Sequence, residues 1–202
     1  MVLLVGCSSV LGIEDPRPAG DGGMAQDGQD GQPISQCHPV INELMTGSSV
    51  SPADEWVEVY NGCPAPVDVT SWTLVYRSAS NDGSNDSSTL ATLTGSMATG
   101  EFRLYAGSGF TGTYDYQWTG MNGLIGQFDG AVGLRDNNRA LVDSMAYGAV
   151  VATHPFIETK PTPAMANGKS ASRLPLDGND TNDNSVDFQI IAAGTPRASN
   201  VL

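Results

Sequence analysis

Residues 55–61 read E-W-V-E-V-Y-N, and this stretch decides the fold class. The residues alternate as they do in a β-strand, which places Val57 and Val59 on one face and Trp56 on the other. Large side chains occupy both faces, so we expect the first face to be buried and the second to be partly covered. The N-G dipeptide that follows has turn chemistry, because asparagine and glycine tolerate a positive φ.

Eight further runs rich in β-branched and aromatic residues flank this strand, and clusters of Gly, Asn, Asp and Ser separate them. No segment repeats apolar residues at helical spacing over three turns. The tripeptide D-N-N at 136–138 joins two of the runs and predicts a β-hairpin. The pattern indicates an all-β sandwich or barrel. The expected strands span residues 40–45, 55–60, 72–77, 89–93, 102–106, 114–118, 131–134, 140–147 and 188–191.

The charge of the chain limits its partners. Its 202 residues include 22 acidic and 9 basic side chains, a formal net charge of −13, and the length allows one domain or two small ones. A field of this sign repels phosphate backbones, so we expect no nucleic-acid partner. No apolar run approaches the ~20 residues that a membrane-spanning helix requires. Any attachment to a membrane must then come from another feature.

The segment L-V-G-C at 4–7 resembles the lipobox of bacterial lipoproteins. The resemblance implies that the thiol of Cys7 carries a lipid and that residues 1–6 are the remainder of a signal peptide. Ser8, in place of aspartate, implies the outer membrane of the bacterial cell envelope. A secretory signal has a basic start and an apolar core of about 7–15 residues, whereas none of the residues before Cys7 is basic. We expect the true start to lie upstream; an accidental match is the alternative.

Residues 14–36 consist largely of Gly, Asp, Gln and Pro and contain almost nothing that a core would bury. Such a segment does not recover its ordering entropy, so we expect residues 7–36 to form a lipidated N-terminus and a disordered tether. A coil of this length reaches roughly 25–30 Å, enough to lift a domain off a headgroup layer. Calcium binding by Asp21, Asp27 and Asp30 is a weaker interpretation, because nothing holds these ligands in a fixed geometry.

The other cysteines indicate a disulfide. If Cys7 carries a lipid, Cys37 and Cys63 remain as a pair in an oxidising compartment. They flank the first two expected strands, and pairing of those strands would bring the thiols together. A bridge across this separation of 26 residues would stabilise the fold by about 3.5 kcal/mol. Zinc is the alternative, but the chain has no C-x-x-C motif and only two histidines, His38 and His154. We predict neither a metal site nor a cofactor.

Short motifs follow one another from residue 38 onward. In chain order they are I-N-E at 41–43, E-W-V-E-V-Y-N at 55–61, P-V-D-V at 66–69, S-W-T-L at 71–74, F-R-L-Y-A-G at 102–107, L-R-D at 134–136, L-V-D at 141–143, Y-G at 147–148, S-R at 172–173, D-T-N-D-N-S-V-D-F at 180–188 and G-T-P-R-A-S-N at 194–200. This ordered set resembles bacterial lamin tail domains, and with the lipobox it resembles their lipoprotein form. The resemblance implies an immunoglobulin-like β-sandwich over residues 37–202. The chain departs from the family pattern at Ser71, at Arg197 and in the insert 80–88.

An acidic segment near the C-terminus has the spacing of a calcium loop. Asp180, Asn182 and Asn184 occupy positions 1, 3 and 5 of an EF-hand pattern, but Ser185 and Ile191 replace its glycine and its glutamate. Asn and Asp side chains also bond nearby backbone N–H groups and shape irregular segments. We favour this structural role.

Two glutamates and three tryptophans on expected strands have alternative interpretations. Glu43 and Glu58 are the kind of pair that a glycosidase requires, but we favour hydrogen bonding at the edge of the sandwich. Trp56, Trp72 and Trp118 would stack on sugars in a carbohydrate site, but we favour core packing. Of the loops, we expect the acidic segment 81–86 to be a solvated turn and 149–170 to be an exposed contact surface.

These features predict a non-catalytic, surface-anchored binding or structural module with a protein or glycan partner in the envelope or outside the cell. In related proteins such domains accompany secreted hydrolases or surface-assembly proteins, so the resemblance implies recruitment of a partner of that kind. One alternative is a calcium-dependent carbohydrate-binding or adhesion domain. The other is a cryptic hydrolase accessory, which would need its two carboxyls about 5–9.5 Å apart in an open cleft.

Overall fold

The computed structural model describes residues 37–119 and 124–201, which form short strands and one helical turn. The tether and the domain boundary at residue 36 lie outside the described residues and stay a prediction. The elements are β1 (Val40–Thr46), β2 (Glu55–Tyr60), β3 (Val67–Asp68), β4 (Thr73–Arg77), β5 (Ser88–Thr92), β6 (Ser96–Met97), β7 (Phe102–Ala106), β8 (Tyr116–Gln117), β9 (Gly130–Arg135), β10 (Leu141–Tyr147), β11 (Ser170–Arg173), α1 (Asn184–Asp187) and β12 (Phe188–Ile191).

Two main sheets form the sandwich. A six-stranded sheet has the order β12-β11-β1-β2-β7-β8, and a four-stranded sheet has the order β10-β9-β4-β5; β3 and β6 form a small third sheet. Neighbouring strands are antiparallel except β7 and β8, which are parallel. The predicted class, an all-β sandwich of immunoglobulin type, is confirmed. Among the described residues, no helix has the length and hydropathy that crossing a membrane requires.

The core lies between the sheets and is built from alternate strand positions. Val57 and Val59 on β2 are fully buried in it, as the alternation in residues 55–60 predicts. Each such side chain contributes roughly 1.5–3 kcal/mol when it leaves water. The opposite face of β2 is covered as well, since Trp56 packs against Leu104 and Ala106 and is 2% exposed. The expectation of partial cover on this second face was therefore too weak.

A β-bulge in β1 determines what the outer face of the six-stranded sheet carries. The pairing of β1 with β2 shifts register between Ile41 and Glu43. A bulge adds one residue to its strand, so Ile41 and Leu44 both reach the core although they are three positions apart. Asn42 and Glu43 are then both directed to the outer side, where their side chains bond Glu58 and Ser172 respectively.

The expected strands agree with the observed ones at most positions, and the predicted hairpin is the β9–β10 pair. The run 114–118 is shorter than predicted, since only Tyr116–Gln117 pair as a strand. Three strands were missed: β3, β6 and β11. The interpretation of 149–170 as an exposed loop is wrong for its centre, because the side chains of Phe156, Glu158 and Thr162 are buried there.

Cys37 and Cys63 form the disulfide that the sequence predicts, with their Cα atoms 5.6 Å apart. Cys37 precedes β1 and Cys63 follows β2, and the first residue pair of these strands is Val40 with Tyr60. The bridge therefore closes the open end of the β1–β2 hairpin.

Candidate functional site

The carboxylate of Glu43 lies on the outer side of the six-stranded sheet and has no exposed surface. Its Oε1 accepts hydrogen bonds from the hydroxyls of Ser170 and Ser172 on β11, at 2.7 and 2.5 Å. Its Oε2 accepts from the backbone N–H of Thr195 at 2.9 Å. Burial raises the pKa of this carboxyl, and the hydrogen bonds oppose the rise. Glu43 thus joins three segments of the chain.

Glu58 pairs directly with Glu43 across β1 and β2 and is equally inaccessible. Its Oε1 accepts from the amide of Asn42 at 3.1 Å, and its Oε2 accepts from the backbone N–H of Arg197 at 2.5 Å. Burial raises the pKa of Glu58 to about 8, and the nearby charges of Glu43 and Asp177 add to the rise. Burial therefore favours the protonated form of Glu58 more than it is favoured in an exposed glutamate.

The C-terminal segment 194–200 covers these two carboxyls. The first residue of this segment, Gly194, has no room for a side chain, since a Cβ there would lie 2.5 Å from the ring of Trp56. At its far end the amide of Asn200 donates to the backbone carbonyls of Asn42 and Arg173, at 3.1 and 3.0 Å. The closing motif G-T-P-R-A-S-N is thus a clasp across the outer face of the sheet, and we call residues 194–200 the clasp.

The hydrolase interpretation needs an open cleft between Glu43 and Glu58, and the fold places both side chains under the clasp with no exposed surface. Their oxygens are used by the hydroxyls, amides and backbone N–H groups described above. A substrate does not reach this pair in the folded domain. The interpretation of Glu43 and Glu58 as a catalytic pair of the glycosidase type is therefore wrong.

The raised pKa of Glu58 has a testable effect on stability. Its folded-state pKa of about 8 exceeds the ordinary value of 4.5, so stability falls as pH rises through this interval. One pKa unit corresponds to about 1.4 kcal/mol, and we expect a fall of at least that size between about pH 5 and pH 8. Glutamine does not titrate in this range, so Glu58→Gln should remove the part of the stability loss that Glu58 causes.

The measurement is urea unfolding at several pH values for both proteins. Glu43 and Glu55 also have raised pKa values, so the variant should show a shallower slope rather than none. Glu101→Gln is the matched control, because the pKa of this carboxyl is lowered. Parallel pH profiles of wild type and Glu58→Gln would contradict the assignment.

Arg173, from the S-R motif at 172–173, is the centre of a second buried network, which the sequence analysis did not predict. Its guanidinium has no exposed surface and donates to the backbone carbonyls of Ile41 and Asn179, at 2.7 and 2.8 Å. The carboxylate of Asp143 on β10 accepts from it at 2.9 Å. The guanidinium also lies 4.6 Å from the centre of the Phe188 ring. Arg173 therefore links β1, β10 and the segment that leads to β12.

Two further carboxylates face Arg173. Asp187 lies 3.3 Å and Asp180 3.4 Å from its Nη1. Burial acts to lower the pKa of Arg173, but the surrounding carboxylates, Asp143 first, raise it above its ordinary value. Asp187 in turn accepts from the backbone N–H and the hydroxyl of Thr181, at 2.9 and 2.8 Å. Arg173, Asp143, Asp180 and Asp187 are named the Arg173 cluster below.

The residues with calcium-loop spacing serve different partners. Asp180 accepts from Arg173 and from the backbone N–H of Asn182, the latter at 3.0 Å. Asn184 is directed at β10, where its Oδ1 accepts from the N–H of Ala146 at 2.9 Å. Its amide donates to Glu158 at 2.6 Å. This supports the structural role that we favoured for the segment.

Three carboxylates from separate parts of the chain do converge. Oxygens of Asp143, Glu158 and Asp180 all lie within 4.8 Å of one another. The guanidinium of Arg173 lies beside them and supplies a positive charge at that place. Sequence reasoning missed this group, because its members are not neighbours along the chain.

Glu55 and the tryptophans have structural roles. One oxygen of Glu55 accepts from the indole of Trp118 at 2.9 Å and from the N–H of Leu124 at 2.6 Å; the other accepts from Ile125 at 3.0 Å. Burial raises the pKa of Glu55. Trp118 is 3% exposed in the main core, and Trp72 packs partly buried against that core. The preference for core packing over sugar stacking agrees with these positions.

The acidic segment 81–86 is more than the solvated turn that we expected. Asp86 bridges Arg77 and Arg135, with oxygen to nitrogen distances of 2.8 and 3.0 Å. Burial acts to raise the pKa of Asp86, but the hydrogen bonds from the two arginines outweigh it and lower the pKa. Asp82 accepts from the hydroxyl of Thr153 at 3.2 Å. The segment is therefore fastened to β4 and β9, the two inner strands of the four-stranded sheet.

The two histidines differ in burial. His154 is buried, and its Nδ1 accepts from the backbone N–H of Phe156 at 3.2 Å. His38 follows the disulfide directly and is partly buried. Four residues lie outside the described residues: Cys7, Asp21, Asp27 and Asp30.

The family model of the lamin tail domain matches residues 32–149, more than half of the chain. The later motifs at 172–173, 180–188 and 194–200 fall beyond this range, although β11 and β12 pair into the same six-stranded sheet. Searches of curated proteins and of solved structures found no match.

Proposed function

Since the chain belongs to the lamin tail domain family, we propose that it is a non-catalytic binding or structural module anchored to the bacterial cell envelope. The proposal that the module is non-catalytic is supported by the hydrogen bonds that its buried glutamates accept within the protein. Glu43, Glu55 and Glu58 are fully buried, and each accepts two or more hydrogen bonds from the protein itself. Groups committed in this way stabilise a fold and are not available to a substrate.

The anchor rests on the lipobox resemblance at 4–7 and on the acceptor thiol of Cys7. We expect the full chain, expressed in a bacterial host with its complete signal, to incorporate a labelled fatty acid and to fractionate with the outer membrane. Cys7→Ala should abolish both. Ser8→Ala serves as the matched control, because it leaves the acceptor thiol in place. Labelling that persists in Cys7→Ala would contradict the proposed anchor.

The partner is a protein or glycan of the envelope or the cell exterior, and the net charge of −13 argues against nucleic acid. The test is capture from envelope fractions with the purified domain, followed by mass spectrometry. A partner that is recovered with the native domain and lost after heat denaturation supports the binding function. Recovery of the same proteins by native and denatured domain contradicts it.

A calcium-dependent adhesion or carbohydrate-binding domain is the second candidate, favoured by the convergence of Asp143, Glu158 and Asp180. Carboxylate oxygens are the ligands that Ca²⁺ prefers. The discriminating measurement is the melting temperature in the presence of Ca²⁺ or of a chelator. A rise with Ca²⁺ that Asp180→Asn abolishes favours the calcium-dependent function, and equal melting temperatures exclude it.

A further inference from the structure

A cavity of about 520 Å³ opens at the end of the β9–β10 hairpin, and its described lining includes no residue of the clasp or the Arg173 cluster. Its volume falls in the range of roughly 300–1,000 Å³ that is typical of small-molecule sites. The hairpin supplies Arg135, Asn138 and Arg139 to its wall, and the segment after β10 supplies Pro155 and Phe156. None of the residues that line it is acidic.

The two charged residues that line this cavity are both arginines, although the chain as a whole is acidic. Two of the 9 basic residues line it, whereas the chain carries 22 acidic residues. Arg135 is held rigidly, since Asp86 accepts from its Nε and Nη2 and the carbonyl of Arg139 accepts from its Nη1, each at 3.0 Å. The guanidinium has five N–H groups, so two of them stay available to a ligand.

Arg139 presents a second guanidinium at the rim. Its side chain is exposed, and among residues 37–119 and 124–201 no acidic group pairs with it. The turn that carries it is well ordered, because Oδ1 of Asp136 accepts from the backbone N–H groups of Asn138 and Ala140, both at 2.8 Å. Two guanidinium groups, one fixed and one exposed, therefore share one cavity.

These observations identify a class of ligand. Paired guanidinium groups recognise oxyanions. The apolar residues of the cavity offer little to a peptide anchor, since Phe156 has no exposed surface and Leu141 is only 7% exposed. Inorganic phosphate would fill a small part of the volume. A sugar acid fits better, because its carboxylate suits the arginines and its hydroxyls suit the amide of Asn138.

We propose that this cavity binds the carboxylate of a uronic-acid unit in an acidic glycan. The inference deepens the proposed binding function and rests on it. Arg135 positions the carboxylate, Arg139 completes the charge pairing, and Asn138 contacts a neighbouring hydroxyl. The site is distinct from the three converging carboxylates and needs no calcium.

The test is an NMR titration of the full chain with a uronic-acid oligosaccharide, followed at the backbone N–H signals of 135–141 and at the arginine Nε–H signals. A neutral oligosaccharide of the same length, an oligoglutamate peptide and inorganic phosphate are titrated in parallel. We expect saturable shifts with the uronic acid alone and weakening at high salt. Arg139→Gln should lower the affinity at least about tenfold.

Two variants separate binding from folding. Arg139 has a φ of 69°, so Arg139→Gly should raise the melting temperature while it lowers the affinity as much as Arg139→Gln does. Lys160→Gln removes an equally exposed positive charge outside the cavity and should leave the affinity unchanged. Unchanged affinity in Arg139→Gln, or tighter binding of the peptide, the phosphate or the neutral sugar, would overturn the proposal. If the glycan proposal fails, capture of an envelope partner by the Arg139→Gln variant still tests the broader binding function separately.

Discussion

Replacing Arg173 by methionine will lower the free energy of unfolding by about 4 kcal/mol, a large part of the roughly 5–15 kcal/mol that stabilises an ordinary domain. The side chain is fully buried, and Asp143 and Asp187 beside it have no exposed surface either. Methionine fills much of the space but leaves these carboxylates without a positive charge. Removal of one partner from a buried ion pair is among the most destabilising single changes.

Urea unfolding followed by tryptophan fluorescence measures this effect. The matched control is Arg197→Met, because Arg197 is 36% exposed in its pair with Asp115, and exposed pairs contribute at most about 1 kcal/mol. Arg173→Lys should fall between the two, since lysine keeps the charge but lacks the planar set of donors. If Arg173→Met unfolds like Arg197→Met, the Arg173 cluster does not support the fold.

Loss of the disulfide will be the second largest effect, about 3.5 kcal/mol for a bridge with a sequence separation of 26. The bridge restrains the unfolded chain across the β1–β2 hairpin, which lies at the centre of the six-stranded sheet. The double variant Cys37→Ala, Cys63→Ala should show this loss in denaturant, and the wild type should show the same loss after reduction. Reductant should not change the double variant further.

A matched pair of measurements isolates the bridge from the packing of the thiols. Cys63 is 2% exposed, so its replacement by alanine also removes a buried sulfur, whereas Cys37 is exposed. Cys37→Ala alone breaks the bridge with little effect on packing and should account for most of the loss. Equal stability of wild type and Cys37→Ala would contradict the role assigned to the bridge.

Strands with alternating large residues were predictable, because residue order alone carries their signal. Residues 55–60 form β2 with the predicted bounds, and 102–106 form β7 in the same way. β11 was missed because its residues, S-A-S-R, are small or polar. Its Ser170 and Ser172 face the Glu43 carboxylate rather than the core. Such a strand is stabilised by polar partners that are remote in sequence, and no local pattern reports them.

Some features of the candidate sites could also be predicted from residue order alone, and others could not. The cysteine pair was predictable, since few thiols exist and two expected strands separate them. The burial of Glu43 and Glu58 was not, because it depends on the clasp, which returns from the far end of the chain to cover them. The arginine-lined cavity was also missed, since the hairpin residue Arg139 meets Pro155 and Phe156 only in the folded domain.

The contacts of the clasp affect the order in which parts of this domain fold. Its contacts join residues separated by 152 and 158 positions, Glu43 with Thr195 and Asn42 with Asn200. Contacts of such high contact order form late, because the loop entropy must be overcome first. Until the clasp docks, the carboxyls of Glu43 and Glu58 lack the backbone N–H donors of Thr195 and Arg197. The six-stranded sheet therefore gains its full set of polar contacts only when residues 194–200 dock on it.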